Sequence, residues 1–477
     1  MSKLFIDGAW CAPLSQETLP VYSPADGQVY AEIGRGQADD IDLAVKAARK
    51  AFDGEWGRYS ATERGRVLVR IGNKVLEHID ELAKIEARDT GKPLALARKD
   101  IEALARYFEF YGGAADKVHG QVIPYLPGYS VSVVREAYGV VAHIIPWNYP
   151  AQMLGRTICP ALAMGNASVV KPAEDACMTS LRIAELAVEA GLPAGALNIV
   201  TGLGREAGAA LSEHSDINLI TFTGSPQVGV QVQQAAAQNH VKCVLELGGK
   251  SPQLVFADAD LDKAVPIIVG AIIQNAGQTC SAGSRLLIQR EVFDSVLEKV
   301  AARFREMRVG APDASPDCGP IITRAQFERV KSFIADCDAS GLPLAAEGRR
   351  DEGLPTNGWY VAPRLYGPVP RDHRLATEEV FGPVLAALPF DDEDDAVALA
   401  NGTEYGLVAA IWTENGARQQ RVARRLVGGQ VFINCYGAGG GVELPFGGVR
   451  KSGHGREKGF LALEEFSVTK TVVSHHG

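Results

Sequence analysis

No two of the eight cysteines stand close together. Cys11, Cys159, Cys177, Cys243, Cys280, Cys318, Cys337 and Cys435 are scattered singly, with no C-x-x-C and no histidine at metal-ligand spacing. Neither a zinc module nor a disulfide framework is expected, and the thiols read as reduced ones in a reducing compartment. No apolar run approaches the roughly 18–20 residues that span a bilayer, so no membrane segment is expected. Residues 1–10 lack the apolar core and small-residue cleavage site of a signal peptide, which makes the cytoplasm the expected location. An excess of positive charge is missing too. Lys and Arg number 48 against 57 Asp and Glu, a net charge of -9. That disfavours broad binding to nucleic acid or an anionic membrane, while leaving room for a local basic pocket. Internal repeats and low-complexity stretches are also absent.

What is present is a globular composition, 46% hydrophobic and 22% charged, on 477 residues. At roughly 100–200 residues per domain, two or three domains are expected. Residues 1–60 read as a short strand or hairpin near 4–10 and a helix around 40–52. Residues 61–117 carry apolar positions at helical spacing (Val67, Ile71, Val75, Ile79, Leu82, Ile85), predicting two or three helices. At 118–140 the pattern becomes β-branched alternation. Between 167 and 246 short apolar runs alternate with helices at about 176–190, 205–213 and 226–238, as βαβ units require. A right-handed crossover makes this a parallel sheet with helices on both faces. The alternation restarts beyond 250, with strands at 253–256 and 285–288 and helices at 262–275 and 291–307, so a second α/β domain is expected. The tail alternates again from Phe466 to Val473 with no obvious partner of its own.

Three residues could do chemistry. Cys280 lies between Gly277 and Gly283, in a loop after a predicted helix, where a thiolate can be reached; a lone cysteine is more often an inert buried hydrophobe. Glu246 ends an apolar strand, where a carboxylate is out of place unless it pairs with a cation or serves as a base at the carboxyl end of a parallel strand. Asn148, in Pro146-Trp147-Asn148-Tyr149-Pro150, is either a turn asparagine or an amide aimed at a developing oxyanion. For phosphate, Phe222-Thr223-Gly224-Ser225 ends a strand and opens a helix. Lys171-Pro172-Ala173-Glu174 follows another strand, and its lysine and carboxylate can grip ribose hydroxyls while Glu174 repels a 2′-phosphate. The run from Gly202 to Gly208 is a poor dinucleotide fingerprint, with its third glycine out of place.

These blocks, with Glu246-Leu247-Gly248-Gly249-Lys250, Gly277-Gln278-Thr279-Cys280, Glu379-Val380-Phe381-Gly382-Pro383-Val384 and Pro445-Phe446-Gly447-Gly448, resemble the signature blocks of the aldehyde dehydrogenase superfamily, in that family's order and across essentially the whole chain. The resemblance implies an aldehyde dehydrogenase-like α/β fold of two Rossmann-type parallel-sheet domains plus a small β oligomerisation element. The implied division is an NAD-binding domain at 1–117 and 137–246, a catalytic domain at 247–443, and the oligomerisation element at 118–136 and 459–477. It implies NAD-dependent oxidation of an aldehyde to a carboxylic acid, with Cys280 as the nucleophile that carries a thiohemiacetal and then a thioester. By the same resemblance Asn148 stabilises the oxyanion and Glu246 activates the hydrolytic water, so the acyl group leaves as free acid and not to coenzyme A. The implied cofactor residues are Trp147, Lys171, Glu174, Phe222, Gly224, Ser225, Gly248, Glu379 and Phe381. The implied substrate residues are Tyr149, Met153, Arg156, Gln274, Thr279, Ser281 and Phe446, with no metal. A homodimer or homotetramer is expected, the tail strand pairing with a neighbouring subunit.

Two features depart from simple relatives. Arg156 stands eight residues after Asn148, where succinate-semialdehyde dehydrogenases hold the substrate carboxylate, but their second arginine is replaced here by Gln274. Arg156 is therefore either a reader of substrate charge or a structural ion-pair partner. The run Tyr436-Gly437-Ala438-Gly439-Gly440-Gly441-Val442-Glu443 places small residues at the expected tunnel mouth, which predicts a wide entrance and a longer or aromatic substrate. Competing expectations are a semialdehyde specialist, a catalytically silent structural relative, and a cofactor-free thiol hydrolase. Intact Cys280, Glu246 and Asn148 argue against the silent relative, and the nucleotide blocks argue against the hydrolase.

Overall fold

The β-branched stretch that the sequence marks at 118–140 is divided between two sheets, and the break falls at Gly139. In the computed structural model, which describes residues 3–437 and 441–477, this glycine has φ +128°, and a Cβ there would lie 2.4 Å from Asn218 Oδ1. Before it, Gln121–Ile123 and Tyr129–Ala137 are half-wet strands of a small antiparallel sheet. After it, Val140–Ile145 is almost wholly buried and runs through the middle of a large one. Burial on both faces explains its continuous apolar character, where the earlier strand alternates.

That large sheet has the order Ala9–Cys11, Leu4–Ile6, Leu197–Ile199, Ala167–Pro172, Val140–Ile145, Leu219–Thr223, Lys242–Glu246, Gly453–His454. Its five middle strands are parallel. Ile145 pairs with Pro172 and Thr223 with Glu246, so the carboxyl ends of four neighbouring strands share one edge. The helix expected at 205–213 begins instead as a wide turn, Gly204–Gly208, and continues as Ala209–Glu213. Near the N-terminus, a second hairpin of Thr18–Tyr22 with Val29–Gly34 joins the one expected. The sequence hides it because Pro20 interrupts the strand pattern.

A second sheet has the order Leu344–Glu347, Arg364–Tyr366, Val384–Phe390, Arg285–Gln289, Pro252–Val255, Val408–Trp412, Gln430–Ile433, parallel except for its first strand. Only its two central strands were legible as alternation; the others are short and lie among proline- and glycine-rich connections. The stretch 444–458, unassigned in the sequence-based division, crosses back to the first sheet, where Gly453–His454 pairs antiparallel with Leu245 and Glu246. The tail strand Ser467–His475 does have a partner in its own chain: it pairs with Tyr129–Ala137 over its full length, leaving only its outer edge open.

A buried arginine ties the second sheet to the segment that enters it and to a helix packed on it. Arg285 donates through Nε to Lys250 O at 2.9 Å, and through Nη1 and Nη2 to Leu399 O and Ala400 O at 2.9 and 2.6 Å. These are the last carbonyls of the helix Glu393–Ala400, where a cation complements the helix dipole. Arg285→Met removes a donor from all three carbonyls, leaving Leu399 O only its main-chain partner at the helix end. Its expected effect is a loss of about 2–4 kcal/mol of stability, read from urea unfolding at unchanged slope.

Candidate active site

The turn that ends Val140–Ile145 is built by two prolines, and Pro150 opens the helix Pro150–Ala163 at a position where its missing N–H is no loss. Asn148 sits in that turn, 3% exposed. Its main-chain oxygen accepts from Lys92 Nζ at 3.1 Å and Asn275 Nδ2 at 2.9 Å, and its side-chain Nδ2 donates to Gln278 O at 3.0 Å. Lys92 is fully buried with Glu86 and Asp100 as ion-pair partners. The turn is thus held from the helical region and from the cysteine loop at once.

The cysteine loop needs unusual backbone. Asn275, Ala276 and Gly277 follow one another at φ +50°, +53° and +72°, and a Cβ on Gly277 would lie 2.2 Å from Gly382 O. Gln278 locks the turn, donating to Asn275 O and accepting from Ile322 N, each at 3.0 Å. Cys280 follows, half-buried, and loss of solvent pushes its thiol up to about 12, against a downward pull from Arg156.

Two cavities meet at this cysteine. One, of about 630 Å³, is lined by Tyr149, Met153, Arg156, Gln274, Thr279, Ser281 and Phe446, the seven residues expected to hold substrate. Tyr107, Tyr436, Lys99 and Lys458 line it as well, and sequence reasoning did not find Tyr107 or either lysine. Tyr149 and Thr279 hydroxyls are 3.0 Å apart, and Tyr436 donates to Ser281 O. Ala438, Gly439 and Gly440 of the glycine run lie outside the described residues, so the entrance expected there is not described.

The other cavity, of about 350 Å³, is lined by Asn148, Glu246 and Cys280 with Trp147, Gly224, Ser225, Gly248, Glu379 and Phe381. Ser225 caps the helix Pro226–Ala237, accepting from Val228 N at 3.3 Å, so a helix N-terminus faces this space. Gly248 must be bare, because a Cβ would lie 2.4 Å from Glu379 Oε2. Glu379 accepts from Gly249 N at 2.8 Å, and burial raises its carboxyl to about 7. Trp147 and Phe381 meet edge to face at 5.3 Å. Three expected cofactor residues lie outside the lining. Lys171 and Glu174 pair with each other at 2.6 Å beyond the next strand end, and Phe222 packs beneath Gly224.

Arg156, for which the sequence left two roles open, is ion-paired within its own chain. Its guanidinium is 5% exposed, lies 4.2 Å above the Phe446 ring, pairs with Glu457, and reaches Glu246 Oε2 at 3.4 Å. Burial works against its charge, but Glu457 and then Glu246 outweigh that and hold it ionised. It is committed to two carboxylates of its own chain, as a structural ion-pair partner would be. Burial pushes the Glu246 carboxyl well up; Arg156 pulls it back, and Glu457 pushes it up again. Glu457 gave no signal in sequence, because only the return of 444–458 to the first sheet brings it here.

The model of the family described as "Aldehyde dehydrogenase family" matches residues 10–472. The chain is 42% identical to aldehyde dehydrogenase family 2 member B4, mitochondrial, of Arabidopsis thaliana, across 99% of this chain and 88% of that one. A crystal structure from Burkholderia cenocepacia, provisionally named an aldehyde dehydrogenase, superposes with a TM-score of 0.99 at 63% identity over the whole of both chains. Betaine aldehyde dehydrogenase from Staphylococcus aureus in complex with NAD+ gives 0.97 at 35% identity, over 100% of this chain and 95% of that one.

Two outcomes are expected of the cysteine loop. Gly277→Ala strains a left-handed backbone position against Gly382 and lowers stability by about 1–3 kcal/mol, with Cys280 displaced and activity lost. In the unliganded protein, alkylation of the Cys280 peptide by iodoacetamide, followed by mass spectrometry, rises about tenfold per pH unit from neutrality to pH 9 without levelling. A plateau below pH 9 would show the thiol to be far more acidic than its burial implies.

Proposed function

The chain belongs to the aldehyde dehydrogenase family and is an NAD-dependent oxidoreductase of aldehydes; we propose that it does this work through a thioester on Cys280, resolved by water under the control of Glu246. The observation that carries this is the meeting of the two cavities at one thiol, with Asn148 and Glu246 lining the cavity that also bears the nucleotide-binding features. Bare backbone at Gly224 and Gly248, the helix N-terminus at Ser225 and buried Glu379 fit a dinucleotide. When bound, NAD accepts a hydride from the aldehyde carbon.

The chain's own residues do the rest. Cys280 Sγ, its proton given up to solvent, adds to the aldehyde carbon from the wider cavity, and the carbonyl π pair moves onto the oxygen. Asn148 Nδ2, held by a turn fixed at both ends, supplies a donor for the oxyanion that forms. Once hydride has left, the carbon is a thioester. Glu246 takes a proton from the attacking water, the C–S bond breaks, and Cys280 is released with the acid product. Lys171 and Glu174 serve the adenosine ribose, and the Glu174 carboxylate favours NAD over its 2′-phosphorylated form.

For the substrate we propose an uncharged longer or aromatic aldehyde. Tyr107, Tyr149, Tyr436 and Phe446 line the wider cavity, and Arg156 is already paired. The eight free cysteines support a reducing compartment, and we retain the cytoplasm. We also propose a homo-oligomer built on the three-stranded sheet. Val122, Val472 and Val473 are exposed on it, and the edge of Ser467–His475 is open.

In NADH-formation assays, Cys280→Ala is expected to be inactive, while Glu246→Gln completes about one turnover and then stalls. Comparison of kcat/KM for butanal, benzaldehyde and succinic semialdehyde checks the substrate class. A tenfold advantage for the semialdehyde, about 1.4 kcal/mol of transition-state preference, would return Arg156 to the role of charge reader. Light scattering of the intact protein checks the oligomer: replacing Val472 and Val473 by Glu is expected to yield monomers.

A further inference from the structure

Three segments far apart in sequence converge behind the strand end at Glu246. The helix Pro150–Ala163 brings Arg156, and the strand Lys242–Glu246 brings the base. The return segment brings Glu457, Arg456 and Lys458. Glu246 is 2% exposed and Glu457 fully buried, yet among the described residues none of their four carboxylate oxygens meets a hydrogen-bond donor in proper geometry. What both have is Arg156, through Nη2 to Glu246 and through Nε to Glu457. The guanidinium is held flat by Phe446 beneath it. It also stands in the wall of the substrate cavity while Glu246 lines the cofactor cavity, so the ion pair spans the two compartments.

We propose that Arg156 is the positioning residue for the hydrolytic base: shared between Glu457 and Glu246, it fixes the place of the Glu246 carboxylate and keeps it anionic while the thioester waits. The inference rests on the thioester reading above. Two carboxylates this close and this dry would otherwise retain a proton between them, and a protonated Glu246 cannot accept one from water. Glu457 sets the balance from the far side, because it draws the guanidinium away from Glu246 and adds like charge. The other charged or titratable groups bearing on the pair are Arg456, which favours the Glu246 anion, and Tyr107, Cys280 and Lys458, which interact with Arg156. Arg456 itself donates to Gly448 O and Gly455 O, so its position follows the return segment and not the base. A lysine in place of Arg156 would supply the charge but not the two-sided fork.

The test follows the acyl group directly. Full-length enzyme with NAD is mixed with less than one equivalent of butanal and quenched over time, and the butanoyl adduct on the Cys280 peptide is quantified by mass spectrometry from about pH 5 to about pH 9. In the wild type, adduct decay slows toward acid. In Arg156→Gln that acidic limb is expected to move up by about 1 pH unit or more, so that decay at neutrality slows about tenfold. In Glu457→Gln it moves down, and Arg156→Lys restores the wild-type limb at a lower maximal rate. Opposite movement in the first two variants is something a merely structural role would not produce. Should Arg156→Gln fail to fold, the limb of Glu457→Gln decides. A limb unmoved in Glu457→Gln, or unmoved in Arg156→Gln where that variant folds, overturns the inference. An adduct that never forms, even in Glu246→Gln where its decay is blocked, defeats the thioester reading itself.

Discussion

A carboxylate at the end of a strand buried on both faces leaves water for a medium that offers it little. Glu246 is in that position, and the surrounding architecture can be understood as its accommodation. An isolated buried charge is costly enough that the group would simply protonate. Here a guanidinium enters from one helix, and a second carboxylate on a returning segment keeps that guanidinium from collapsing onto the first. Such arrangements are poor stabilisers compared with apolar packing. Their use is to hold a reactive group at a defined place and charge.

The same principle of convergence shapes the nucleophile. Cys280 owes its position to three successive residues in left-handed backbone, closed by Gln278 and pressed against Gly382 of a different segment. Asn148 is bound to that loop by its side chain and to Lys92 by its main chain. The proposed nucleophile and oxyanion donor are therefore fixed to each other as well as to the scaffold, which is the preorganisation that acyl chemistry demands. The glycines at 224 and 248 play the complementary part: they leave room for the Phe222 ring and for the Glu379 carboxylate.

Legibility in the sequence followed the range of the interactions involved. The parallel sheet between 167 and 246 was readable because burial on both faces imprints a short apolar run, and each crossover helix carries its own periodicity. Five strands of the second sheet were not, since three- to seven-residue strands among prolines and glycines leave too little pattern. The alternation at 118–140 marked Tyr129–Ala137 as extended and ran up to the start of Val140–Ile145, because a sequence shows that residues are extended but not which sheet receives them. The tail strand's partner was missed for the same reason, with more than 300 residues between the two.

Within the site, the ordered blocks around Asn148, Glu246, Cys280 and Glu379 made the family legible without coordinates, since each is a local backbone requirement joined to a reactive side chain. Arg156 was visible as an unusual residue, and sequence alone left its role open between substrate and structure. Only the tertiary structure shows it paired with two carboxylates of its own chain. Glu457 lies about 300 residues further along the chain, and nothing local to either residue records that the segment after the glycine run turns back to the edge of the first sheet. Sequence determines what a segment can do with its own neighbours. Which charges end up facing one another in a dry interior is decided by packing, because Coulomb energy depends on distance through space and not along the chain.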